Sequence, residues 1–442
     1  GRNDVAAFAR SHTGALATSW RTTRAALRQA GAVLVDDERE LVDAVGALSR
    51  ARLPAGATGV GVLTAQAGPG LLLLDDLRGR GLSVPELTAD TQRRLGGLLP
   101  PLTHQSNPVD TGRPDPAFGD VLAAVATDPG VDVVAAYALH EPDALDLLAA
   151  VESSGVRGGL VVGVGGAGPA VTAARAALLD RGVPALADPK GVAAATAALL
   201  ADAAARPRDP LQWGGSTPTG LQQSHPTATR AGGIAALLAG PLDEHRAKSV
   251  LSELGIPTPR RAACTGRAAA HRALADIGGP VAVKLLDAAV LHKTEVGGVH
   301  LGVRTAAELD DALDAIGSDT VLVEATAPPG VDLVVGARRD PVFGPVVLVG
   351  LGGTVAEALA DVAVRVAPVA DVAAMVDELA GRALLAGWRG GPVLDRAALA
   401  HVVDVLGGLL LDHPELEDVE INPLRVTADG LLALDAVMTK GH

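Results

Sequence analysis

The sequence holds a single cysteine, Cys264, which excludes an internal disulfide framework and fits a reducing cytoplasm. Aromatics are scarce, at 2% against 48% hydrophobic residues rich in Ala, Val and Leu. That balance suits α/β layers with tight helix–sheet contacts rather than an all-β protein. An excess of positive charge is also missing. Asp and Glu number 51 against 37 Lys and Arg, a formal net charge of -14, which argues against a nucleic-acid partner. No apolar run approaches the roughly 18 residues that a membrane span needs, since even Leu71 to Leu74 is stopped by Asp75-Asp76. The start, Gly1-Arg-Asn-Asp, is neither a signal peptide nor an initiator methionine, as expected of a piece of a longer chain.

At 442 residues the length is enough for about three domains, each with its own core. Ser11-His12-Thr13-Gly14 forms a polar turn before a helical pattern from Trp20 to Gly31, and a short strand is expected over Ala32 to Val35. Asp36 to Arg52 repeats apolar positions at Leu41, Val42, Val45 and Leu48, the spacing of an amphipathic helix. Short apolar runs then alternate with helical ones: Val60 to Thr64, Leu71 to Arg80, Val131 to Ala136, Asp143 to Ser154, Leu160 to Val164, Ala170 to Arg181. This alternation implies a parallel sheet with right-handed crossovers, a flavodoxin-like doubly wound domain over 21–205. Residues 206–232 are rich in Pro, Gly, Ser, Thr and Gln without periodicity, and read as a linker.

Beyond the linker, the stretch Val281-Ala-Val-Lys284 reads as a buried strand ending in a lysine. A loop with His292, Lys293 and Glu295 follows, then Gly297-Gly298 and a second strand from Val299 to Val303. A lysine at such a strand end suits a nucleotide phosphate, and paired glycines let a backbone approach a ligand closely. Phosphate binding alone rarely needs an imidazole, whereas accepting a phosphoryl group does. Near the end, the Asp429-Gly430 turn between apolar runs predicts a hairpin that brings Asn422 and Asp435 together.

At these residues the chain resembles the nucleoside-diphosphate-forming acyl-CoA synthetases, relatives of succinyl-CoA synthetase. The motifs follow in family order: Ser11 to Leu16, Ser106-Asn107-Pro108-Val109-Asp110, Leu291-His292-Lys293 with Val296 to Val299, Arg339-Asp340-Pro341 with Phe343-Gly344-Pro345, Gly350 to Gly353, and Ile421-Asn422-Pro423-Leu424. The resemblance implies the tail of a succinyl-CoA-synthetase-like domain over 1–20, with the phosphohistidine loop, and an ATP-grasp domain over 233–442. It implies reversible conversion of acyl-CoA, phosphate and ADP to a small carboxylic acid, CoA and ATP. In that scheme His12 and His292 carry the phosphoryl group. Lys284, Glu324, Gly297 and Gly298 fall at the nucleotide, Asn422 and Asp435 hold Mg²⁺, and Glu357 and Asp361 are further acidic candidates. Family members assemble from an α and a β part, so a homodimer or association with a CoA-binding subunit is expected.

The chain departs from the family in two places. The family continues upstream into a CoA-binding domain, and its usual Gln-Glu-Met hinge is Glu324-Ala325-Thr326 here. The hinge carboxylate therefore falls on Ala325, with Glu324 on the opposite face of the strand. Gly163-Val-Gly165-Gly-Ala-Gly168 resembles a dinucleotide turn, but no acidic residue is well placed about 20 positions on. A tight strand-to-helix turn explains it, and NAD binding is rejected. Two other functions stay open: a non-catalytic, acyl-CoA-synthetase-like regulatory module, which Ala325 favours and the two histidines disfavour, and an ATP-grasp carboxylate ligase that leaves His12 unexplained.

Overall fold

The computed structural model describes residues 19–206, 228–290, 293, 296–352 and 361–441. His12, His292 and Glu357 lie outside the described residues, as does most of the stretch read as a linker. Two compact units form: Leu27–Thr219, and Gly220–His442 together with the described residues up to Ala26. Among the described residues no helix is long and apolar enough to cross a membrane.

The first unit is a doubly wound, flavodoxin-like sheet. Its strands are β1 (Val60–Thr64), β2 (Val109–Asp110), β3 (Val133–Leu139), β4 (Leu160–Gly165) and β5 (Ala185–Leu186). All pairs are parallel and the order is β2-β1-β3-β4-β5, the order of flavodoxin-like sheets. Side chains alternate across β3, so both faces of the sheet are apolar. Val133, Ala135 and Tyr137 join one buried cluster, while Val134, Ala136 and Ala138 join the other. After α1 (Trp20–Gln29), the first face is covered by α2 (Glu38–Leu48), α3 (Ala67–Gly79) and, later in the chain, Pro189–Ala205. The second face is covered by α4 (Ala89–Leu98), α5 (Phe118–Ala126), α6 (Leu147–Ser154) and α7 (Pro169–Asp180). The helix Pro189–Ala205, α8, begins where Asp188 accepts from Gly191 N–H and Pro189 stands in the first turn.

One expectation for this unit fails, and the helix expected over Asp36 to Arg52 forms as α2 with an unexpected buried face. Ala32 to Val35 is not a strand. In α2 the apolar stripe faces outward: Leu41, Val42 and Val45 are 51%, 69% and 58% exposed, while Glu40, Ala44 and Ala47 are buried. The buried side packs on alanine-rich α8, where only small side chains let two helix backbones come close. Glu40 is tolerated there because its carboxylate accepts from Asp36 N–H at 3.2 Å and from Arg80 at 2.6 Å.

The second unit has two antiparallel sheets. Its helices are α9 (Ala228–Leu238), α10 (Glu244–Glu253), α11 (Arg267–Ile277), α12 (Ala306–Ile316), α13 (Val372–Asp377) and α14 (Arg396–Asp412). The smaller sheet joins β6 (Arg261–Thr265), β7 (Val281–Leu285), β8 (Val299–Val303) and β9 (Thr320–Ala325) in the order β6-β9-β7-β8, with α11 and α12 packed on it. The larger sheet comprises β10 (Val331–Asp340), β11 (Gly344–Leu351), β12 (Val362–Val366), β13 (Leu416–Thr427), β14 (Gly430–Ala433) and β15 (Ala436–Lys440). It runs β12-β11-β10-β13-β14, with β15 also on β13, and buries its core under α10, α13 and α14.

Candidate functional site

β7 and β9 pair so that Lys284 lies opposite Leu322 and Ala282 opposite Glu324. Lys284 and Glu324 are thus diagonal neighbours on one face of the small sheet. Helix α10 brings two more charges to them. It starts at Asp243, whose side chain accepts from Arg246 N–H, so Glu244 falls in the first turn and Lys248 one turn later. Both belong to a stripe, Glu244, Ala247, Lys248 and Leu251, that is buried throughout.

The four side chains close a ring. Lys284 Nζ donates to Glu244 Oε1 at 2.7 Å and to Glu324 Oε1 at 3.2 Å. Lys248 Nζ lies 2.5 Å from Glu324 Oε2 and 2.7 Å from Glu244 Oε1. Both ammoniums also donate to the Leu434 carbonyl, at 2.6 Å from Lys248 and 2.7 Å from Lys284. A third lysine completes the cluster: Lys293 Nζ donates to Glu244 Oε2 at 2.6 Å and to Asp435 Oδ1 at 3.3 Å. The Gly297-Gly298 return fixes its backbone. Gly297 has φ +70°, Gly298 N–H donates to the Lys293 carbonyl at 2.8 Å, and a Cβ on Gly298 would stand 3.1 Å from that oxygen.

Glu244, Lys248, Lys284, Lys293 and Glu324 are all buried. Burial opposes the Glu244 anion, but Lys248, Lys284 and Lys293 outweigh it and hold the carboxyl well below its usual range. Burial likewise opposes the Lys284 cation, and Glu244 and Glu324 reverse it, so its ammonium is held above the ordinary value. Burial, followed by the neighbouring Lys284 charge, lowers Lys248. Burial and the nearby Glu244 raise Asp435.

Asn422 meets Asp435 across the β13–β15 pairing, its N–H donating to the Asp435 carbonyl at 3.2 Å. The closing hairpin therefore joins these two residues as the Asp429-Gly430 turn predicts. Among the described residues no group of three or more His, Cys, Asp or Glu side chains is placed to hold a metal alone. The donor chemistry of Asp435 and Asn422 nonetheless fits Mg²⁺, which takes a few protein oxygens and fills its octahedron with waters and phosphates.

Three other motif residues, Asp361, Asn107 and Arg339, bond to the backbone. Asp361 accepts from Ala380 N–H at 2.9 Å and Gly381 N–H at 3.0 Å, holding the turn after α13 rather than joining the lysines. Asn107 bridges three main-chain groups, accepting from Val62 N–H and donating to the Val60 and Pro85 carbonyls at 2.8, 2.8 and 2.9 Å. Arg339 donates to the Leu410 carbonyl at 2.6 Å, closing the end of α14. The glycines inside β4 answer to Tyr137: a Cβ at Gly163 would lie 2.4 Å from its ring.

Sequence reasoning missed the roles of Glu244, Lys248 and Lys293. The signal for the first two was present, because they stand at i and i+4 on the apolar side of α10, where a solvated pair would not be.

A family model for the ATP-grasp domain matches residues 238–439, and one for the succinyl-CoA ligase like flavodoxin domain matches residues 1–48. The β subunit of acetate–CoA ligase (ADP-forming) I of Pyrococcus furiosus is 34% identical over 211 residues, spanning 45% of this chain and 91% of that subunit. Acetate–CoA ligase (ADP-forming) I of Archaeoglobus fulgidus is 30% identical over 454 residues, spanning 98% of this chain and 64% of its own length. The 4-hydroxybutyrate–CoA ligase (ADP-forming) of Nitrosopumilus maritimus is 28% identical over 445 residues, spanning 96% of this chain and 62% of its own length. The chain thus spans a little under two thirds of the length of these two full-length curated relatives.

Proposed function

We propose, from the premise that this chain belongs to the ADP-forming acyl-CoA synthetases, that it handles the nucleotide in a reversible acid–thiol ligase. The observation that carries this reading is the buried lysine cluster beside Asp435 and Asn422. Buried ion pairs are poor stabilisers. Replacing them with apolar residues is often neutral, or stabilising by about 1–4 kcal/mol. Three lysines kept in a protein interior therefore point to a task other than stability, and binding a polyphosphate is the task their charge suits.

Phosphate attacks the thioester of acyl-CoA, giving acyl phosphate and releasing CoA. A histidine nitrogen then takes the phosphoryl group and releases the carboxylic acid. ADP accepts the group from phosphohistidine, giving ATP and free histidine. His12 and His292 are the proposed carriers. The cluster lysines would neutralise the nucleotide oxygens, because phosphoryl transfer asks mainly for positioning and charge compensation. Mg²⁺ would be held by Asp435 and Asn422 together with the nucleotide phosphates, and would neutralise and orient them. Glu324, fully engaged by Lys248 and Lys284, would act on the nucleotide through those lysines.

Calorimetry with ADP or ATP and Mg²⁺, on wild type and Lys284→Ala, tests the nucleotide site. Micromolar binding that the substitution removes supports the proposal; no binding by wild type sinks it in favour of the non-catalytic module. Labelling with [γ-³²P]ATP should give base-stable, acid-labile phosphate on His292.

A further inference from the structure

Counting N–H donors separates the three lysines. An ammonium has three. Lys284 meets three acceptors, Glu244 Oε1, Glu324 Oε1 and the Leu434 carbonyl. Lys248 meets three as well, Glu244 Oε1, Glu324 Oε2 and the same carbonyl. Lys293 meets two among the described residues, Glu244 Oε2 at 2.6 Å and Asp435 Oδ1 at the longer 3.3 Å. An arriving phosphate reaches Lys284 or Lys248 only by displacing a partner, whereas Lys293 has one donor unspent and one weakly spent.

We propose that Lys293 is the lysine that contacts the nucleotide phosphates first, with Glu244 as the positioning residue that holds its ammonium beside the ring. This rests on the nucleotide-site reading above. The geometry divides the labour. The fixed Glu244 carboxylate, bonded to all three ammoniums, sets where Lys293 Nζ stands. The Gly298 N–H bond to the Lys293 carbonyl sets its backbone. Asp435, the proposed metal ligand, also accepts from the Lys293 ammonium. A phosphate–Mg²⁺ pair would satisfy both residues at once, the phosphate taking Lys293 and the cation taking Asp435.

The test compares wild type, Lys293→Met and Lys293→Arg in calorimetric titrations with Mg²⁺–ADP, tripolyphosphate and adenosine. Lys293→Met should weaken ADP and tripolyphosphate by roughly tenfold or more, the loss expected for one charge-assisted hydrogen bond. Adenosine binding should not change, and Lys293→Arg should recover part of the loss. A merely structural role would weaken all three ligands together. Should Lys293→Met fail to fold, reductive methylation of the wild type read by mass spectrometry decides: tripolyphosphate should slow modification of Lys293, and no protection overturns the proposal. Undiminished ADP binding by Lys293→Met overturns it too while leaving the nucleotide site standing. Lys293-dependent tripolyphosphate binding without any ADP preference keeps this inference and defeats the nucleotide reading. Wild type that binds neither defeats both.

Discussion

Glu244 and Lys284 come from different elements, a helix start and a strand end, yet Glu244 Oε1 lies 2.7 Å from Lys284 Nζ with both side chains buried. The contact ties α10 to the small sheet, and it sets how stability depends on pH.

Glu244 has a folded pKa below its ordinary value of 4.5. A depressed acid contributes stability that is full above the unfolded value and is lost as pH falls toward the folded one. Lys284 is raised above its ordinary 10.5, so its contribution is full below that value and is lost as pH rises past it. Urea denaturation of the wild type should therefore show a loss of stability that begins as pH drops below about 4.5. Glu244→Gln should cost about 3–5 kcal/mol at neutral pH, because it leaves buried ammoniums short of a counter-charge. It should also lack that part of the acid loss. An unchanged acid limb in the variant would show that the pair does not carry it.

Asn107 predicts a purely structural effect from a residue that stands in a family motif. Asn107→Ala strands Val62 N–H and the Val60 carbonyl on buried β1. Each unsatisfied buried group costs about 1–3 kcal/mol, so a loss of about 2–6 kcal/mol is expected in denaturation. Asp110→Ala, losing one exposed bond to Gly112 N–H, should cost under about 0.5 kcal/mol. Equal effects would mean that the motif's asparagine is not the bridge.

The sequence made the sheet cores legible, because β1, β3 and β4 are buried on both faces and read as unbroken apolar runs. The two-residue strands β2 and β5 were not legible, since neither has the length to show a period. In the site, Lys284 and the Asn422–Asp435 pair could be read from strand ends and a turn. Glu244 and Lys248 were legible as an i and i+4 pair on the apolar side of α10, but their partners on β7 and β9 were not, because spacing along the chain does not say which strands a helix covers. Glu324 was expected to face away from the hinge position at Ala325, and alternation does turn it away, into the lysine ring.

Helix α2 gives the reverse case. Leu41, Val42 and Val45 are exposed, while Ala44 and Ala47 are buried on the side that packs on α8. Val42→Ser should therefore change stability by less than about 0.5 kcal/mol. Ala47→Leu, placing a large side chain in a close helix contact, should cost about 1–3 kcal/mol. Thermal melts of the two variants check the assignment, and a larger loss for Val42→Ser would reverse the face of the helix.

Asp435 separates the metal from the lysines. Asp435→Asn keeps the shape and an oxygen for the bond from Ala436 N–H, 2.8 Å in the native chain, but removes the charge. If Asp435 holds Mg²⁺, the gain in ADP affinity that Mg²⁺ brings should fall by roughly tenfold or more, about 1.4 kcal/mol. ADP affinity without Mg²⁺ should hold or rise, because a carboxylate near the phosphates repels them and competes for Lys293. The two effects have opposite signs, so a misfolded site cannot imitate them. Calorimetry with and without Mg²⁺ reads both, and a variant that keeps the full Mg²⁺ gain would remove Asp435 from the metal site.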